Sequence, residues 1–168
     1  MNSEQQTLPK RKHPRLKDYD YSSAGGYFVT ICAHNKQRVF SRIVGRGLAP
    51  AEVQLTQYGK IAQAQLLQLE SRFPFIAVDQ YVIMPNHIHA ILLFDMEAAG
   101  ASPRPTLTDI ICAYKSLTTL ECKKVAPIVK LFQTSFYEHV IRGRQDYLEI
   151  AKYIQENPDR WQLDSLYV

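Results

Sequence analysis

Cysteine is scarce and shows no pairing pattern: Cys32, Cys112 and Cys122 are odd in number and form no CxxC. That argues against a disulfide scaffold and for a reducing compartment. Long apolar runs are lacking too. The longest is interrupted by Pro85, Asn86 and two histidines, which leaves it too short and too polar to span a bilayer. Met1 leads into NSEQQTLPKRKHPRLK with no apolar h-region, so no secretory signal is expected and the chain reads as cytoplasmic. Neither an internal repeat nor a domain linker is evident. Tryptophan occurs once, against ten tyrosines and seven phenylalanines. Tyrosines offer stacking surfaces and phenolic donors, and most pack at the edge of a core. Negative charge is in slight deficit: the formal net charge of +4 favours a polyanionic partner by steering, without specifying one.

What is present suffices for a folded domain. At 168 residues, 46% hydrophobic and 21% charged, the chain can bury a core without a metal or disulfide staple. Residues 1–24 form a basic arm, with Lys10, Arg11, Lys12, His13, Arg15 and Lys17 close together, expected to lie along the domain through Leu16, Tyr19 and Tyr21. Residues 25–168 form a single expected domain. Gly25-Gly26 marks a turn, and Tyr27 to Ala33 is rich in β-branched and aromatic residues, hence a strand. Arg38 to Val44 and Ala51 to Leu55 read as arms of a hairpin. Thr56 is a plausible helix cap, followed by a stripe of Tyr58, Ile61, Ala62, Gln65, Leu66 and Leu69 running to about Arg72.

Phe75 to Met84 is β-rich although it alternates poorly, and Asn86 to Phe94 supplies an antiparallel neighbour across a short turn. Leu107 to Cys122 carries apolar residues at helical spacing, Val125 to Phe132 reads as β near its end, and a last helix runs from about Gln145 to Glu156, stopped by Asn157-Pro158. The centre of this order is β-α-β-β-α-β: an α+β fold with a ferredoxin-like antiparallel sheet and helices packed on it.

The stretch Tyr81 to Leu93, YVIMPNHIHAILL, carries the chemistry. In an extended chain side chains alternate, so His87 and His89 point one way and Ile88 the other. Neutral imidazoles are good ligands for Mn, Zn, Fe or Ni. A pair of hydrogen-bonded structural histidines is the competing reading. One strand cannot complete a coordination sphere, and Asp79, Glu138, His139, Glu156 and the amide of Asn157 are candidates for a third ligand. In the closing helix Tyr153 and Asn157 are four apart and share a face. A phenol with a reference pKa of about 10 is a poor nucleophile at neutral pH. A neighbouring cation that polarises the attacked phosphate lowers that barrier.

Asn86-His87-Ile88-His89, Phe136-Tyr137-Glu138-His139-Val140-Ile141-Arg142 and Tyr153-Ile154-Gln155-Glu156-Asn157-Pro158 resemble, in order, the IS200-like single-tyrosine transposases of the HUH type, most closely those associated with repetitive extragenic palindromes (REPs). The resemblance extends from LKDYDYSSAGGYFVTICAHN to ENPDRW. It implies a metal pair at His87 and His89, a nucleophile at Tyr153 rather than Tyr137 or Tyr147, and a further ligand at Asn157. It implies nicking and rejoining of single-stranded DNA at hairpins of palindromic repeats through a 5′-phosphotyrosine, in a bacterial, nucleoid-associated setting. Mg²⁺ is the ion the resemblance implies, while the imidazoles suit Mn²⁺ better on ligand grounds. Candidate phosphate contacts are Arg11, Lys12, Arg15, Lys17, Lys115, Lys123, Lys124, Arg142 and Arg144, because positive charge gives affinity without sequence choice. A monomer or a homodimer is compatible with the pattern, and the short GRQD approach to the last helix favours assembly in one chain. The alternatives are a non-catalytic nucleic-acid-binding module and a metallonuclease that activates water.

Overall fold

The structure, a computed structural model, describes residues 19–45, 50–95 and 105–168. Strands β1 (Gly25–Cys32), β4 (Ile76–Ile83), β5 (His87–Phe94) and β6 (Tyr137–Ile141) form an antiparallel sheet in the order β4-β5-β1-β6. Strands β2 (Ser41–Val44) and β3 (Glu52–Leu55) form a separate hairpin. Helices α1 (Gln57–Leu67), α2 (Leu69–Arg72), α3 (Leu107–Val125) and α4 (Arg144–Glu156) complete the ferredoxin-like plan, with the hairpin inserted after its first strand.

The two faces of the sheet differ. Tyr27, Val29 and Ile31 of β1 and Ile88, Ala90, Leu92 and Phe94 of β5 join Ala62 and Leu66 of α1 and Ile110, Ile111 and Tyr114 of α3 in one apolar cluster. The other face is covered by α4, and its cluster is small: Ile91, Ala151 and Ile154, flanked by Phe28, Val82, Ile141, Tyr147 and Ile150. Strand alternation sends Ile88 to the first face and His87 and His89 to the second.

The poor alternation of the Phe75–Met84 segment has a structural cause. The β4–β5 register shifts between Val78 and Gln80, so Asp79 is the extra residue of a bulge. The shift lets Ile76 and Val78 face the helices together with Tyr81 and Ile83, while Val82 pairs with His89 under α4.

Thr56 caps α1, its Oγ1 accepting from Gly59 N at 3.1 Å. Gly59 is dictated by a close approach: a Cβ there would lie 1.9 Å from the carbonyl oxygen of buried Phe40. The helix expected to reach Arg72 breaks at Gln68, and α2 is a separate turn. Helix α3 opens on a capping box between Thr106 and Asp109 and runs to Val125, beyond the expected Cys122.

The β structure expected near the end of Val125 to Phe132 does not extend to a strand. Only an isolated bridge, Ala33 with Phe132, forms there; Pro127 offers no N–H to a ladder and Val129 is fully exposed. The edge strand is β6 instead, paired with β1 from Gly26↔Ile141 to Thr30↔Tyr137.

Candidate metal and tyrosine site

Helix α4 is set across the sheet by polar ties at its first turns. Gly143, at φ +97°, takes a backbone conformation that a side chain would strain and turns the chain from β6 into the helix. Asp146 then accepts from Arg142 N at 2.8 Å and meets His139 Nε2 at 2.8 Å. Those hydrogen bonds hold its carboxyl below the usual range, the backbone one first. At the other side of the sheet Tyr147 Oη donates to Asp79 Oδ2 at 2.6 Å, the bulge residue of β4. Tyr147 and His139 are therefore engaged in seating the helix.

Less than two turns beyond Tyr147, the same helix brings Tyr153 to the histidines. Its Oη lies 3.3 Å from His89 Nε2 and 3.3 Å from Asp164 Oδ2. The Tyr153 ring packs edge-on to Phe28 and His89. Asn157, one turn later and 2% exposed, donates from Nδ2 to the same Asp164 oxygen at 2.8 Å. Asp164 arrives from the chain after α4, which folds back over the start of β5. Trp161 packs 5.8 Å from the His87 ring, Asn86 Nδ2 donates to Leu166 O at 2.8 Å, and the Arg38 guanidinium covers the Trp161 and Tyr167 rings.

Neighbouring hydrogen bonds show which nitrogen of His87 is available. Asn86 gives its amide N–H to Leu166 O, so its oxygen faces His87 Nδ1 at 2.8 Å and requires a proton there. His87 Nε2 then carries a bare lone pair. It is buried, has no hydrogen-bond partner among the described residues, and lies 3.8 Å from the Asp164 carboxylate. Asn157 Oδ1 is likewise buried without a partner. His89 Nδ1 is satisfied by Thr30 Oγ1 at 2.9 Å, leaving Nε2 toward Tyr153.

His87, His89 and Asp164 present ligand atoms within 4.8 Å of one another. His87 Nε2 faces the Asp164 carboxylate acceptor to acceptor, which is unfavourable unless a cation lies between, and buried polar atoms are seldom left unpaired. The residues therefore fit a divalent ion, with nitrogen and oxygen donors and outer-shell partners that orient both rings. Burial pushes the His87 imidazole down to about 4, against the opposing pull of Asp164, and burial together with His87 holds His89 well below its ordinary value. Both rings are thus neutral near pH 7, as ligands must be. Burial, followed by the charge of Asp164, pushes the Tyr153 phenol up to about 12.

Of the candidate third ligands, Asn157 alone is tied to this group, through Asp164. Asp79 is held by Tyr147, Glu138 accepts from Tyr21 at 2.9 Å, His139 pairs with Asp146, and Glu156 pairs with Lys152 and Arg160. Asp164 had no sequence signal. It belongs to no motif and joins the site only because the chain after α4 turns back.

The candidate phosphate contacts are dispersed. Arg11, Lys12, Arg15 and Lys17 lie outside the described residues. Lys115 Nζ donates to the carbonyls of Gln133, Thr134 and Ser135, fastening the approach to β6, which gives it a structural task instead. Lys124 pairs with Glu121 at 2.6 Å, and Lys123 is exposed on the same helix. Helix α3 lies across the sheet from Tyr153, so neither lysine joins the site. Arg142 and Arg144 are exposed at the β6–α4 turn.

This sheet, with the His87–Ile88–His89 pair beneath a helix that carries a tyrosine, has the architecture of the single-tyrosine transposases. A solved structure of a REP-associated tyrosine transposase bound to a REP hairpin matches it with a TM-score of 0.63 over 88% of this chain and 73% of that one, at 18% identity. A candidate transposase from Deinococcus radiodurans R1 matches with a TM-score of 0.50 over 84% of this chain and 95% of that one, at 14% identity. The fold is that of the IS200/REP-type transposases, and His87 and His89 fit the HUH motif. In sequence, the chain belongs to one family with an uncharacterized protein of Haemophilus influenzae, 34% identical over 94% of this chain and 93% of that protein. No family model matches. Among the described residues no helix is long and apolar enough to cross a membrane.

Proposed function

We propose that this protein nicks and rejoins single-stranded DNA beside hairpins of palindromic repeats, with Tyr153 as nucleophile and a divalent cation held by His87, His89, Asn157 and Asp164. The observation that carries this reading is the convergence, within one chain, of a phenol 3.3 Å from His89 Nε2 and of two buried acceptors without a partner among the described residues. A cation bound there supplies charge that offsets the negative charge on the non-bridging oxygens of a scissile phosphate. Two imidazoles among the donors suit Mn²⁺, and Mg²⁺ is the other ion to test.

Tyr153 Oη bonds to phosphorus while the bond from phosphorus to the 3′ oxygen breaks, leaving a 5′-phosphotyrosine and a 3′-hydroxyl. Asp164 Oδ2, 3.3 Å from the phenol, orients its hydroxyl; the phenol proton leaves to solvent as the bond to phosphorus forms, and the departing oxygen gains one. Attack by a 3′-hydroxyl reverses the step and joins strands. The phosphodiester bond count is conserved, so ATP is not needed. Because helix and histidines come from the same chain, a second copy is not required for the site. The hairpin in the solved REP-associated structure supports folded single strands as the substrate class.

The test is adduct formation with single-stranded hairpin oligonucleotides in Mn²⁺ or Mg²⁺. Wild-type protein is expected to form a covalent adduct mapped to Tyr153, and Tyr153→Phe is expected to bind the same DNA and form none. An adduct of equal yield in Tyr153→Phe removes the nucleophile assignment. Cleavage to free ends by that variant would favour a water-activating nuclease, and binding without cleavage in every ion would favour a non-catalytic module.

A further inference from the structure

Beside Tyr153 lies an open cavity of about 390 Å³ lined by one stripe of α4 and its continuation: Glu149, Lys152, Glu156 and Arg160 with Tyr153 and Asn157, closed by Leu163 and Asp164. The spacing is helical, since these positions recur every three or four residues, and Arg160 N still bonds to Glu156 O at 3.1 Å. Lys152 and Arg160 are eight positions apart, about 12 Å along a helix, and both line the cavity. Neither is bonded into the core. Both lean on one carboxylate: Lys152 Nζ lies 3.7 Å from Glu156 Oε1 and Arg160 Nη2 lies 3.0 Å from Glu156 Oε2. The two cations are 71% and 68% exposed, so these pairs add little to stability and are readily exchanged for another anion.

We infer that Lys152 and Arg160 clamp the backbone phosphates adjoining the one that reaches Tyr153, and that Glu156 holds both side chains in place until the strand displaces it. The inference rests on the reading of the cavity as the place where a DNA strand meets Tyr153. The occupant follows from charge and shape. The cavity is partly open to solvent, has two cations in its wall, and places the 85%-exposed Leu163 where a base can cover it. Its wall holds three carboxylates against two cations, so a polyanion enters poorly until a divalent ion offsets Asp164. Strand and metal should therefore bind cooperatively, each raising the affinity for the other. Electrostatic attraction from exposed Lys and Arg gives backbone affinity without base choice, as a track beside a nucleophile requires.

The test uses the full chain carrying Tyr153→Phe, so that binding is read without covalent chemistry, and a fluorescent thymidine oligonucleotide titrated with and without Mn²⁺ at several salt concentrations. Lys152→Gln and Arg160→Gln are each expected to weaken binding about fivefold and to flatten the salt dependence by about 0.7 per lost phosphate contact. Glu156→Gln is expected to tighten binding about threefold, a gain that a purely structural ion pair would not give. Lys60→Gln, an equally simple loss of charge on α1, is expected to leave affinity and slope unchanged. Unchanged affinity and slope in the Lys152→Gln/Arg160→Gln double variant, with thermal unfolding intact, overturns the clamp; so does weaker binding by Glu156→Gln. Adduct formation by the otherwise wild-type chain is scored separately, so an adduct with an inert clamp sinks this inference alone. A working clamp without an adduct would sink only the nucleophile.

Discussion

His87 and Ile88 are adjacent on one strand and belong to different kinds of interior. Ile88 enters a continuous apolar cluster with α1 and α3, where burial alone is favourable. His87 enters the face under α4, where buried Thr30, Asn86, His89 and Asn157 surround a small apolar patch. The first face is filled by shape and supplies stability. The second is held by named hydrogen bonds and leaves His87 Nε2 and Asn157 Oδ1 unpaired among the described residues, an arrangement that costs stability unless something binds there. The sheet thus separates the residues that hold the fold from those that form the candidate site.

Substitutions on the two faces should break apart cleanly. The largest effect expected is at the second face: His87→Ala should lower Mn²⁺ affinity by at least about 100-fold, beyond what outer-shell losses cost, measured by calorimetric titration. Its urea midpoint in the absence of metal should hold. Ile88→Ala, one residue on, should do the reverse, costing about 2–5 kcal/mol of unfolding free energy with metal affinity retained in the folded fraction. If Ile88→Ala destroys metal binding in a fully folded protein, the faces are coupled and the division fails. Gly59→Ala belongs with the first face. Its Cβ would meet a backbone oxygen, and a loss of about 1–3 kcal/mol is expected in the same urea measurement.

The first face was more legible in the sequence than the second. The Tyr58–Leu69 stripe, the apolar positions of α3 and the alternation of β5 all state a period, and period fixes which side is buried. The bulge at Asp79 hid the period of β4, because one inserted residue exchanges the two faces. The edge strand was misplaced for a related reason: Val125 to Phe132 is apolar enough for a strand, but Pro127 and the Lys115 clamp on the carbonyls of Gln133 to Ser135 send the chain elsewhere. On the second face the His pair and the Tyr153–Asn157 spacing were readable, since both are local. Asp164 was not, because nothing near it records that the chain turns back to lie against His87.

The pH dependence of stability sharpens the contrast between the faces. The folded His87 ring has been pushed down to about 4 from 6.5, so between those values the unfolded chain binds the proton and the folded chain does not. Stability is at its full value above pH 6.5 and declines as pH falls through 4, by about 3 kcal/mol in all from this ring. His89, shifted in the same direction, adds to the slope. The urea midpoint should therefore fall between pH 6.5 and 4 in the wild type and fall less in His87→Ala. Equal slopes in the two proteins would place the acid sensitivity elsewhere.

The smallest effect expected is at the seat of α4. Tyr147→Phe removes a hydrogen bond of 2.6 Å to Asp79 at a partly exposed position, worth about 1 kcal/mol or a little more because the acceptor is charged. The ring still packs beside Ile91 and Ile154, so the helix stays down. What should change is precision. Tyr153 lies less than two turns further along, and a small tilt about the lost tie displaces its phenol from His89. Adduct formation should accordingly fall several-fold in Tyr147→Phe while Mn²⁺ affinity, set by His87 and His89 on the strand, stays within about twofold. Loss of metal affinity in this variant would mean that the histidines depend on the helix for their orientation, against the hydrogen bonds from Asn86 and Thr30 that fix them from the sheet side.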